Sequence, residues 1–225
     1  MSSRCFGVVV LVWALLPAAA RPAKPVKDQA AKVSLKSGDV LPGAFQVFSV
    51  TGPRAVRFSC PVCEYGVKPF VLVFIRDAKN PDAVGKLLQG LDALVDKHPD
   101  ARLGACAIFL EDGSYRKALA PAGAADEKEL AKAIDDREAL ESRLRDWAGS
   151  AGAKLKHVAI GLDSPGGPEK YHLDAEAAAT VLLCHKLKLA AEPMVFKDVP
   201  GSWDDVLRQV DKLATRAEGP RRPKR

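Results

Sequence analysis

The 225-residue chain is short of the motifs that announce a chemistry. It has no HExxH run for a zinc hydrolase, and its glycine-rich turn Ser164-Pro165-Gly166-Gly167 lacks the lysine and spacing of a phosphate loop. His157, His172 and His185 are scattered, so they form no sequence cluster of metal ligands or bases. No internal repeat is present. Cysteine is scarce at five residues, too few for a small scaffold held by disulfides, so packing must supply most of the stability.

Positive charge is also missing from the body of the chain. The formal net charge is +6, but residues 21–34 carry four positives against one negative, and residues 216–225 carry five against one. The stretch from Leu35 to Thr215 is therefore slightly acidic, which excludes the concentrated positive face that nucleic-acid binding requires. No nucleic-acid partner is expected. The tail RAEGPRRPKR is read as a basic, disordered end.

Residues 1–20 have the form of a secretory signal: Arg4, then the apolar GVVVLVWALLPAAA, then Ala18-Ala19-Ala20 before Arg21. The apolar stretch is shorter than the roughly 20 residues that span a bilayer, so no permanent membrane span is expected. Cleavage would remove Cys5 and export the other four cysteines to a secreted or periplasmic setting where disulfides persist. The expected organisation is a signal at 1–20, a basic linker at 21–34, one domain at 35–215 and a basic tail at 216–225.

Within the domain, Phe70 to Ile75 is an unbroken apolar run of the kind found in a strand covered on both faces. Asn80-Pro81 reads as a helix cap with proline at the first helical position. Val84, Leu87, Leu88, Leu91, Leu94 and Val95 form one stripe, and His98-Pro99 stops it. A second buried strand centres on Cys106 to Leu110, a helix with Leu140, Leu144 and Trp147 on one side follows, and HVAIGLD is a third strand. Val181 to Phe196 alternates after Cys184 and reads as an antiparallel hairpin. Ser202-Trp203-Asp204-Asp205 resembles a capping box before a final helix. This alternation predicts an α/β fold with a mostly parallel sheet and an antiparallel edge.

The order of elements, with Gly38-Asp39-Val40-Leu41-Pro42 at the entrance, resembles the thioredoxin-like fold, in particular its redoxin branch. The resemblance implies a mixed sheet with helices on both faces. It also implies a reactive cysteine at the start of the helix after the first core strand, and a cis-proline before the hairpin. Here those positions read Arg76 to Pro81 and Ala178 to Val181, so the usual active-site cysteine position is expected to be empty and the CPVC pair, Cys60 and Cys63, displaced.

Cys60 and Cys63 have the spacing of a redox couple, a short structural disulfide or half a metal site. They are the candidate catalytic residues. No motif calls for a cofactor, and no metal is expected. Cys106 and Cys184, set among apolar residues, read as buried, inert thiols, and Tyr171 as an anchor for its segment. The leading functional expectation is an exported thiol-disulfide oxidoreductase acting on protein or small-molecule disulfides. The alternative is a noncatalytic thioredoxin-like interaction module in which CPVC is a structural disulfide or a metal half-site.

Overall fold

A computed structural model describes residues 35–76, 80–111, 126–150 and 154–219. The expected signal at 1–20 and linker at 21–34 lie outside the described residues. Eight strands form one sheet: β1 (Val47–Ser49), β2 (Arg57–Ser59), β3 (Phe70–Ile75), β4 (Gly104–Leu110), β5 (Ala159–Asp163), β6 (Ala179–His185), β7 (Lys188–Leu189) and β8 (Met194–Phe196). Among the described residues four α-helices accompany them: α1 (Pro61–Tyr65), α2 (Pro81–Lys97), α3 (Glu127–Gly149) and α4 (Asp204–Glu218).

The strand order is β2-β1-β5-β4-β3-β6-β7, with β8 pairing β6 beyond the β7 contact. Among the described residues β3–β4 and β4–β5 pair in parallel and the other pairings are antiparallel. The fold is α/β with a mixed sheet flanked by helices, as expected, but its parallel part is confined to three strands. Antiparallel strands extend it on both sides because the short β1–β2 hairpin adds to β5, a pairing that weak three-residue signals do not announce in sequence.

The two sheet faces bury different sets. Val71, Val73, Ile75, Ala105, Ala107, Phe109, Val181 and Leu183 face one way, under Leu87, Leu88 and Leu91 of α2, Leu144 of α3, and Val206 and Val210 of α4. Phe70, Leu72, Phe74, Cys106, Ile108, Leu182 and Cys184 face the other way, under Val62 of α1, Leu41 and Tyr171. The alternation follows from the period-two geometry of strands, which lets one continuous apolar sequence supply both cores.

Helix α2 begins as its sequence indicates: Asn80 Oδ1 accepts from Ala83 N at 3.1 Å, and Pro81 opens the first turn. Asp92, buried on α2, accepts from Lys156 N, His157 N and Val158 N at 2.7–3.1 Å, so one carboxylate takes the amides leading into β5. At the other end of α2, His98 is buried with Nδ1 3.0 Å from Glu218 Oε1 and Nε2 2.7 Å from Asp211 Oδ1. Lys97 Nζ also reaches Asp211 Oδ1 at 2.7 Å. These contacts fasten α4 to α2, and α4 runs to Glu218, into the stretch read as the basic tail.

Candidate functional site

The chain enters the site through β2 and turns into a helix at the first cysteine. Cys60 is the N-cap of α1, Pro61 fills the first helical position where its missing N–H costs nothing, and Gly66, with φ of 58°, ends the helix after five residues. Cys60 and Cys63 are joined by a disulfide with Cα atoms 5.2 Å apart. Cys63 N donates to Cys60 Sγ at 3.1 Å. Cys60 is half-buried against the core, whereas Cys63 is exposed.

The short helix is held from below and from the side. Val62 is buried, and Tyr65 packs on Phe70 with ring centroids 5.4 Å apart while its hydroxyl donates to Ala105 O at 2.9 Å. The ring lies over Gly104, where an added Cβ would come within 2.2 Å of it. Burial is the main reason the Tyr65 phenol is pushed well above its ordinary range, with Cys106 and Glu64 adding to it. Glu64 pairs with Arg54 Nε at 3.2 Å, tying α1 to the turn before β2. Ser49 and Ser59 hydroxyls meet at 2.6 Å across β1–β2.

Cys106 and Cys184 are free and buried, as their apolar neighbours in sequence indicate. Burial, helped by Glu64, pushes the Cys106 thiol up to about 12, and burial alone pushes Cys184 higher still. Neither is a competent nucleophile near neutral pH, because the thiolate is the reactive form. Tyr171 is an anchor, its hydroxyl donating to Gly43 O at 2.8 Å. His157 pairs with Asp96 of α2 at 2.7 Å, and His172 sits in a left-handed turn position. His185 ends β6, where burial and then Lys186 lower its pKa. Among the described residues no group of three or more His, Cys, Asp or Glu side chains is arranged to hold a metal ion. No helix among them is long and apolar enough to cross a membrane.

Exposed apolar side chains are spread over both edges of the sheet. Val56 and Phe58 lie on the approach to Cys60, and Val67 follows α1. Lys186 N donates to Val67 O at 3.2 Å and Leu41 N to Leu187 O at 2.9 Å, which brings Val67, Leu187 and Val40 together at the β7 edge, the opposite edge from β2.

No protein-family model matches the chain, and no curated protein does. Solved structures do match. A protein described as the thiol:disulfide interchange protein DsbE of Chlorobium tepidum aligns with a TM-score of 0.52 at 13% identity, covering 83% of this chain and 100% of that one. A thiol peroxidase from Chromobacterium violaceum aligns with a TM-score of 0.51 at 12% identity, covering 85% and 94%. At such identities the likeness establishes the thioredoxin-like fold.

The expectation of an empty active-site position and a displaced pair is corrected by the structure. Strand β2 leads straight into Cys60, Cys60 caps α1 and Cys63 lies in its first turn, so a disulfide-forming pair stands at the strand-to-helix position of a thioredoxin-like site. A five-residue helix stopped by Gly66 has too few positions to show a helical period, so α1 leaves no periodic trace in sequence. Of the segment Arg76 to Pro81, on which the expected vacancy rested, residues 77–79 lie outside the described residues.

Proposed function

We propose that this chain is an exported thiol-disulfide oxidoreductase whose working groups are Cys60 and Cys63, with protein or small-molecule disulfides as partners. The observation that carries the proposal is a disulfide at the solvent-facing start of α1, with Cys60 half-buried and Cys63 exposed.

Exposure selects the sulfur that meets the substrate. An incoming thiolate attacks Sγ of exposed Cys63, the Cys60–Cys63 bond breaks, and Cys60 leaves as a thiolate stabilised by the Cys63 amide that already points at its sulfur. A second substrate thiolate then attacks the substrate sulfur of the mixed disulfide, releasing the oxidised substrate and the Cys63 thiolate. The substrate loses two electrons and the pair gains them. In the reducing direction the same steps run backwards, with Cys63 attacking and Cys60 resolving.

Trapping tests this directly. With a reduced, unfolded protein carrying an activated cysteine, Cys60→Ser should accumulate a mixed disulfide through Cys63, and Cys63→Ser should accumulate little. Redox titration of the wild type should give reversible interconversion of dithiol and disulfide within the range of the compartment. A folded wild type with no turnover above either variant on protein or small-molecule disulfides would defeat the enzymatic reading and leave an interaction module with CPVC as a staple.

A further inference from the structure

On the opposite face of the sheet from the disulfide, α4 and the segment after β6 enclose a cavity of about 370 Å³. Its floor is apolar, made by Leu183, Leu213, Ala190 and Ala191, and its rim carries Arg208, Lys212 and Arg216 together with Asp205 and Gln209. The three cations follow one another at four-residue intervals, so they lie on one side of α4 about 6 Å apart along its axis.

Like charges at this spacing destabilise a helix unless something neutralises them. The carboxylates of α4 do not do so. Asp205 pairs with Arg208, while Asp211 and Glu218 are turned away to Lys97 and His98 on α2. Among the described residues no carboxylate pairs with Lys212 or Arg216, and both side chains are exposed at the cavity rim. Two uncompensated cations above an apolar floor match a ligand with a doubly charged head and a small apolar body.

We infer that this cavity is a binding site for a phosphate monoester, its phosphate held by Lys212 and Arg216 and its apolar group laid on Leu183 and Leu213. The Arg216 guanidinium offers two parallel N–H donors to phosphate oxygens, and Lys212 supplies a compact point charge beside it. The same chemistry is presented by a free phosphate ester and by the headgroup of a phosphatidic acid lipid. The site is independent of the redox reading, since it shares no residue with the cysteine pair.

The experiment follows amide resonances of the full, isotope-labelled protein during titration with hexyl phosphate, inorganic phosphate and hexanol. Hexyl phosphate should give saturable shifts at Leu183, Ala190, Ala191 and α4, with inorganic phosphate weaker and hexanol weaker still. Lys212→Gln/Arg216→Gln, both at exposed positions, should weaken binding by about tenfold or more, the loss of at least one charge-assisted contact. Ala191→Trp, which fills the cavity while keeping both cations, should block it. Co-sedimentation with phosphatidic acid vesicles against phosphatidylcholine vesicles separates the two sources: binding to the former that the double variant loses identifies the lipid headgroup. Absence of shifts in α4 with hexyl phosphate together with no selective vesicle binding would overturn the assignment, as would equal binding by the double variant.

Discussion

The chain carries two kinds of cysteine on one side of its sheet, and they differ in everything except element. Cys106 and Cys184 point from β4 and β6 into a core closed by Tyr171, Leu41 and Val62, where burial keeps their thiols protonated. Cys60 and Cys63 sit only a helix-turn above that core, bonded to each other, with Cys63 in solvent. The difference teaches that sequence spacing selects which sulfurs can pair, while the sheet decides which can react. A buried sulfur serves as a small apolar group; an exposed pair at a helix start is available for exchange.

The sharpest way to break that contrast is to remove one member of the exposed pair. Cys60→Ser and Cys63→Ser should each reduce disulfide exchange to the uncatalysed background with the domain still folded, measured by turnover of a protein disulfide and by circular dichroism. Cys106→Ala should leave turnover near wild type. Loss of exchange in the Cys106 variant alone would invert the assignment.

Native-state alkylation gives the next largest effect. After mild reduction, Cys60 and Cys63 should label fully, whereas Cys106 and Cys184 should resist until the protein is unfolded, with mass mapping as the readout. Because the Cys106 thiol is pushed up to about 12, its protection should not relax as the pH is raised from neutral to mildly alkaline.

Gly104→Ala attacks the link between the two kinds of cysteine. The new Cβ collides with the Tyr65 ring, which must shift and give up its hold on Ala105 O. Overpacking of this kind costs about 1–3 kcal/mol, read from denaturant midpoints. The redox potential of the Cys60–Cys63 pair should move in the same variant.

The smallest effect is a control remote from both. The Asp211 carboxylate is held below its ordinary range, first by its hydrogen bond from Lys97 and then by that from His98. Its folded pKa being depressed, its contribution to stability is complete above the ordinary carboxylate range and is lost as pH falls through the folded value. Thermal melts should therefore show acid weakening in the wild type that is reduced in Asp211→Asn. Exchange activity at neutral pH should be unaltered by that substitution.

Much of the architecture was open to sequence reading because the core elements are long. Phe70 to Ile75, Cys106 to Leu110, the α2 stripe and the hairpin after Ala179 all have enough residues to display their period, and Asn80-Pro81 states its cap outright. What escaped reading is short or assembled at a distance. β2 has three residues and α1 five, which hid the helix that Cys60 caps. Tyr65 reaches Ala105, forty positions away, and His98 meets Asp211 and Glu218 only because α4 packs on α2. Pro61 directly after Cys60, at the first helical position within the CxxC pair, and Gly66 as a stop were the local signal of that helix.

The Asp92 carboxylate bears on how this fold can be altered. By receiving the amides of Lys156, His157 and Val158, it fixes where β5 begins from a helix that precedes β4. The crossover joining β4 to β5 is thus relieved of setting that strand's alignment. Loop closure penalises added length only gently, so residues inserted within the crossover should be tolerated while Asp92 remains. The domain therefore offers an internal grafting point for a foreign peptide or sensor module, anchored by one side chain outside the segment being exchanged.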